Sequence, residues 1–189
     1  MYLRRTVGPV AAPATAAEVM ALGRITDTAD TALVTRKIAQ ATAIVSEMTG
    51  RVVMEETWAY SVPAIVRNDL VLPKSPVQSV ESITYLDAED VQQDATVSDF
   101  YLMKDEDRAV LRPKSGTAWP TANTDRDDAI TITFVAGYTT VPDSIKQAVE
   151  MLALHLFENP DVVLSGPASE MPMGLRAMID VDRIGWVAG

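Results

Sequence analysis

The apolar and polar positions predict one helix more strongly than any other element, over Asp143–Glu158. Pro142 precedes this segment, and Asn159 and Pro160 follow it. Such residues are expected at the start and at the end of a helix. Five apolar residues recur at the spacing of a single helical face: Ile145, Ala148, Val149, Leu152 and Leu156.

Apolar residues also lie on the other sides of this helix. Leu154 points almost opposite the main apolar face, and Met151 and Phe157 flank it. A helix that is apolar around most of its circumference is usually covered around most of it. The pattern therefore predicts either a helix in the centre of the core, or one that packs on its own domain and on a neighbour. In the second alternative Met151, Leu154 and Phe157 form a subunit interface.

The same spacing predicts two helices near the N-terminus. The first, a short one, begins with the capping-box pair Thr15 and Glu18 and ends at Gly23. The second covers residues 30–49, and Gly50 stands where a left-handed C-cap residue is expected. A helix of that length needs a packing partner, and Asp143–Glu158 is the obvious one.

After Gly50 the apolar period changes from that of a helix to that of a strand. No helix separates the predicted strands, so they are expected to pair in antiparallel sheets. The predicted strands are 52–62, 70–72, 77–86, 91–93, 100–103, 109–112 and 129–136.

These elements predict an α+β fold. Its helical core consists of residues 15–50 and 138–160, that is, two N-terminal helices and one long C-terminal helix, and residues 51–137 form an inserted antiparallel β region. Residues 1–14 contain a glycine and two prolines among small side chains and predict a flexible N-terminal arm. Residues 161–189 predict an extended C-terminal tail, with one short helix over 173–179 as an option.

The tail carries three large apolar residues, Ile184, Trp186 and Val187. An apolar segment at a chain end needs a surface to cover it. Two alternatives stay open, since the tail could dock on a partner or fold back on its own domain.

Composition narrows the classes of function. The 189 residues carry a formal net charge of -10, which argues against a surface that grips nucleic-acid phosphates. There is no cysteine, so disulfides and thiolate chemistry are excluded. No apolar run reaches the length of a membrane span, and the N-terminus lacks the apolar region of a signal peptide, so we expect a soluble protein made in the cytoplasm.

Candidate catalytic residues are few. His155 is the single histidine, and a lone helical histidine is more often structural than catalytic. The acidic groups at 105–107 and 125–128 match no calcium-loop spacing, and the sequence holds no phosphate-binding loop. Trp58 and Trp119 could stack a sugar or base, although such tryptophans usually belong to a core. We predict no enzyme, no cofactor and no metal.

Several stretches, in this order, resemble the head-tail connector proteins (also called adaptor or head completion proteins) of tailed phages and phage-derived particles. The similarity extends from about Ala14 to Ile179, and the ordered set rather than any single motif carries it. The stretches are 14–22, 30–51 with its ending Met-Thr-Gly-Arg, 57–58, 72–80, 83–87, 135–138, 141–142, the end of the long helix at 157–159, and 172–175.

This resemblance implies a structural protein without catalytic residues. It implies a ring, typically of twelve subunits, below the portal at the capsid vertex, which extends the DNA channel and meets the next tail-side connector or stopper. It places the protein in the virion after assembly in the host cytoplasm, with DNA passing through unbound and with Ile184, Trp186 and Val187 as candidate portal contacts. The alternative is a monomeric β-rich module that binds a glycan or another virion protein through Trp58, Trp119 and the loop at 115–128.

Overall fold

The computed structural model describes residues 1–64, 69–159 and 173–184. The chain forms two compact units. A sheet unit consists of Met1–Pro9 and Glu55–Tyr138, and a helical unit consists of Val10–Met54 and Thr139–Gly189. Helices and antiparallel sheets together confirm the predicted α+β class.

The helical unit contains α1 (Ala16–Leu22), α2 (Thr31–Thr49), α3 (Asp143–Glu158) and α4 (Met173–Val181). A single 3-10 turn at Thr28–Asp30 leads into α2. α2 packs along α3, as their apolar faces predict. All five residues of the predicted α3 face are buried, and so is Ala153. The buried residues of α2 are Val34, Ile38, Ala41, Val45 and Thr49.

The fourth helix confirms the short helix considered over 173–179 and corrects the expectation that the whole C-terminal tail is extended. α4 packs on α3 and α2, and it buries Leu175 and Ile179 at the helical spacing i, i+4. Two buried aliphatic side chains are worth roughly 1.5–3 kcal/mol each. Residues 173–181 therefore belong to the helical unit.

In its described residues, the sheet unit contains eight strands in two antiparallel sheets. Its five-stranded sheet has the order β1-β2-β8-β4-β5, and its three-stranded sheet has the order β3-β7-β6. The strands are β1 Tyr2–Val7, β2 Glu56–Val62, β3 Leu70–Leu72, β4 Val77–Leu86, β5 Gln92–Ala95, β6 Phe100–Lys104, β7 Ala109–Pro113 and β8 Ile130–Ala136.

Strand β8 lies at the centre of the five-stranded sheet, and its side chains alternate between buried and half-buried. Ile130, Ile132 and Phe134 are fully buried on the inner face. Thr131 and Thr133 point to the opposite face, because successive side chains of a strand alternate. The five-stranded sheet thus has one apolar face and one polar face.

The first strand corrects the prediction of a flexible arm over residues 1–14. Tyr2–Val7 pair with β2 in an antiparallel register that runs from Tyr2 opposite Ser61 to Val7 opposite Thr57. Ala14 is also buried. The residues of β1 do not alternate strictly in polarity, and their partner strand lies some fifty positions away, so their local pattern gave no strand signal.

Candidate assembly interfaces

Helix α1 is joined to α3 through the predicted capping box. The Glu18 amide donates to the Thr15 hydroxyl (3.3 Å), and the Thr15 amide donates to the Glu18 carboxylate (2.7 Å). Lys146 of α3 donates to the other Glu18 oxygen at 2.6 Å. The hydrogen bond from Lys146, with those from Thr15, lowers the pKa of Glu18 to about 2. This carboxylate therefore both caps α1 and pairs with α3.

The three residues predicted to face a neighbouring subunit have different surroundings. Met151 is 38% exposed, whereas Leu154 and Phe157 are half-buried. The Leu154 Cδ1 atom lies where a Cβ on Gly23 would come within 2.4 Å of it. Leu154 thus occupies space that only glycine leaves open, within its own helical unit. Of the three, Met151 presents the most surface to a partner.

The end of α4 is held at the C-terminus of α2. The Arg51 guanidinium donates from Nε to the Asp182 carbonyl at 2.6 Å, and the Ile184 amide donates to the Thr49 carbonyl at 2.9 Å. The Ile184 side chain also lies beside Gly50. Ile184 therefore packs on its own unit, as in the second of the two alternatives for the tail, and its role as a partner contact stays a prediction. Trp186 and Val187 lie outside the described residues.

The outer face of the three-stranded sheet carries an apolar row. Met103 of β6 lies opposite Val110 of β7, which in turn lies opposite Val71 of β3. Met103 and Val71 are both exposed. Beside this row, Arg112 pairs with Asp69, and Lys114 lies over the Tyr101 ring at 5.2 Å. The sequence pattern does not indicate this surface, because strands of three to five residues show too little alternation to mark an outer face.

The polar face of the five-stranded sheet forms a groove of about 410 Å³. Small and hydroxyl side chains make its floor, with a Ser61–Thr131 hydroxyl contact of 2.8 Å at its centre. None of its lining groups forms a nucleophile–base pair of the kind that catalysis needs. The lining residues are Tyr2, Arg4, Ala59, Ser61, Thr84, Gln92, Asp128 and Thr131.

The candidate chemical residues have structural partners. His155 is half-buried and contacts Asn159, which also donates to its carbonyl and so covers the end of α3. Asp105 accepts from the Asp107 and Arg108 amides in a tight turn, and Asp128 pairs with Arg126. In the described part of the chain, no three metal-ligating side chains cluster.

Among the same residues, no helix has the length and apolar character of a membrane span.

The two tryptophans considered as a stacking platform contact different sheets. Trp58 lies on β2 with the Lys74 ammonium 4.7 Å from its ring centroid. Trp119 lies against Phe100 of β6, with ring centroids 4.7 Å apart. Each indole already has an intramolecular neighbour, so the geometry does not favour the glycan-binding alternative.

The chain is similar to a known protein family and to several solved structures. The family profile of the head completion protein matches residues 14–165. A search of curated proteins gave no match. Three solved chains are similar in fold at 23% identity, and each alignment covers 100% of this chain and 98% of the other. They come from the neck of an empty gene transfer agent particle computed with C6 symmetry (TM-score 0.81), the virion of the native particle (0.79), and its neck computed with C12 symmetry (0.73).

Proposed function

Because the chain belongs to the head completion protein family, we propose that it is a structural subunit of a ring that joins the capsid vertex to the tail. Family membership confirms the resemblance read from the ordered stretches of sequence. The match over residues 14–165 carries the proposal, since it covers most of both units. The family is defined by head completion and not by a reaction, which supports a structural role.

The finer parts of the proposal concern geometry and partners. The ring has twelve subunits, for which the C12 symmetry of a neck that contains a similar chain gives support. It lies below the portal, extends the DNA channel and meets the next tail-side connector or stopper. The subunits are made in the host cytoplasm and end in the virion.

The charge of the chain supports a channel role. A formal net charge of -10 disfavours adhesion of DNA, whose phosphates are also negative. A channel component benefits from this, since DNA must move past it. Members of a ring need partner surfaces, and exposed Met151 is one candidate among those described.

The proposal is tested by producing particles with and without this chain. Electron microscopy of particles that lack it should show filled or filling heads without tails, and adding the purified chain should restore the neck density as a ring. Purified chain mixed with portal should give a ring in native mass spectrometry. A chain that stays monomeric in the presence of portal, and whose loss leaves the neck unchanged, would contradict the proposal.

A further inference from the structure

We propose that neighbouring subunits join their five-stranded sheets edge to edge, with β1 of one copy beside β5 of the next. The inference rests on the proposed ring and names the contact that builds it. It starts from the strand order β1-β2-β8-β4-β5, in which β1 and β5 are the two outermost strands. Each edge carries backbone N–H and C=O groups that no further strand of this sheet pairs.

Both edges are accessible in the single chain. All six residues of β1 are exposed, and so are Gln92, Gln93 and Asp94 of β5. On β1 the exposed side chains include apolar ones, with Tyr2 at 61% and Val7 at 52%. An exposed edge strand with apolar side chains is a template for pairing with another chain. The edge therefore needs either protection or a partner.

The two edges carry opposite charge. β1 has Arg4 and Arg5 and no acidic residue, whereas β5 has Asp94 and no basic residue, and the turn before β5 adds Asp87, Glu89 and Asp90. Part of this charge is matched within the chain, since Arg5 pairs with Glu56 at 3.0 Å and Asp90 pairs with Arg126 at 3.6 Å. Arg4 and Asp94 are exposed, and neither side chain has an ion pair in the described part of the chain. They are the complementary pair that a contact between copies would use.

The register places these two charges on one face of the sheet. A single cross-strand row runs from one edge to the other through Tyr2, Ser61, Thr131, Thr84 and Asp94. Arg4 follows Tyr2 by two residues and so points to the same side as Asp94. When the sheet continues into a second copy with Arg4 in register with Asp94, the two side chains lie side by side on its polar face.

Strand direction fixes the kind of pairing. Every neighbour pair in this sheet is antiparallel, so β1 and β5 run in the same direction and would meet as a parallel pair. The contact joins two different surfaces of the same protein. Such a head-to-tail contact closes into a ring when its rotation allows. A closed ring of this kind leaves no edge of the sheet unpaired.

Charge reversal tests the pairing with the full-length chain and its portal. Arg4→Asp and Asp94→Arg should each lower the yield of rings in native mass spectrometry by about tenfold or more, because each places like charges in contact. A one-to-one mixture of the two variants should restore rings, since the altered edge of either variant then meets the altered edge of the other. The control variants Arg36→Asp and Glu47→Arg change exposed charges on α2 and should assemble as the wild type does.

Cross-linking supplies a second measurement. The chain has no cysteine, so Arg4→Cys combined with Asp94→Cys introduces the only thiols. Adjacent strands bring such residues within disulfide distance. Oxidation of assembled rings should give a ladder of covalent multimers on a non-reducing gel, and each single variant at most dimers.

The outcomes separate the two proposals. Wild-type rings together with unaffected charge-reversal variants and no covalent ladder would overturn the edge contact and leave the proposed function standing. If the wild type forms no ring with portal, the proposed function falls and the edge contact falls with it. Loss of rings in each variant with recovery in the mixture supports both.

Discussion

The two units expose their apolar side chains in different places. In the described part of the helical unit, exposed large apolar residues lie mostly at helix ends, such as Leu22, Met173 and Val181, and only Met151 lies within a long helix. In the sheet unit most of them lie on outermost strands, namely Tyr2, Leu3 and Val7 on β1, Val71 on β3, and Tyr101 and Met103 on β6, while Met1 precedes β1 and Val91 precedes β5. The long helices α2 and α3 thus cover most of their apolar side chains within the helical unit, whereas the outermost strands of the sheet unit keep apolar side chains exposed.

The difference follows from how each unit pairs the N–H and C=O groups of its backbone. A helix pairs its own N–H and C=O groups except at its ends, and here the Thr15–Glu18 capping box and the left-handed Gly50 meet that need at two of those ends. A sheet always leaves two edges unless it closes on itself. Assembly contacts are therefore expected mainly on the sheet unit.

The largest expected effect on stability comes from removing a buried side chain of the central strand β8. Phe134→Ala removes a fully buried ring from β8 and should lower the free energy of unfolding by about 3–5 kcal/mol. Denaturant titration followed by tryptophan fluorescence measures this, because Trp58 and Trp119 lie in the sheet unit. Val135→Ala, on the half-buried face of the same strand, is the matched control and should cost much less. Equal losses would show that the inner face of β8 contributes no more to the core than its outer face.

A pair of variants on α3 separates folding from assembly. Leu154→Asp places a charge beside Gly23 and should destabilise the helical unit by at most about 1.5–3 kcal/mol, the value of a fully buried leucine, because Leu154 is half-buried. Met151→Asp, at an exposed position, should change stability by less than about 0.5 kcal/mol. Thermal unfolding followed by circular dichroism measures the stability of both variants, and the yield of rings with portal measures their assembly. A stable monomeric Leu154→Asp protein would restore Leu154 as an interface residue.

The C-terminus of α2 should respond to one added methyl group. Gly50 has φ +74°, a conformation that costs an L-residue roughly 1–2 kcal/mol. Gly50→Ala should therefore lower stability by about 1 kcal/mol, and Gly50→Asn should recover part of it, because asparagine tolerates this region better. Gly8→Ala, with open space around it, is the control. Equal stability of the two alanine variants would contradict the role of the left-handed cap.

The smallest expected effect is a dependence of stability on pH, which comes from Glu18. The pKa of Glu18 falls from 4.5 to about 2 on folding, so its contribution is complete above about pH 4.5 and is lost as the pH falls toward 2. Glu18→Gln retains a capping amide but lacks this titration. The stability difference between wild type and Glu18→Gln, measured by denaturant titration, should therefore shrink between pH 4.5 and pH 2. A difference that stays constant over this range would rule out the Lys146–Glu18 pair as its cause.

Local patterns predicted much of the fold. The capping box, the left-handed Gly50, the α3 face and the bounds of β3 and β4 all depend on neighbours within a few positions, and the structure has each of them. The predicted strand over 52–62 begins only at Glu56, although Val52 and Val53 are buried, because burial and strand pairing are separate requirements. The family resemblance supplied what no pattern could, namely a role in a particle.

Contacts between distant parts of the sequence could not be predicted in this way. β1 depends on β2, Leu154 on Gly23, and Ile184 on the end of α2. Each involves a partner between about 50 and 135 positions away, for which period and propensity give no signal. As a result, the sequence pattern does not show that Leu154 and Ile184, both predicted as interface residues, have partners in their own unit, or that the two edges of the sheet are exposed.

The division of the helical unit between the two ends of the chain has a consequence during synthesis. α2 is made early, but α3 and α4, which cover its face, follow only after the whole β region. The sheet unit has all its strands once residue 138 has left the ribosome, while Val34, Ile38 and Val45 of α2 still lack α3. The nascent chain thus carries an uncovered apolar helix throughout the making of the sheet, and this is the interval in which we expect chaperones to bind it.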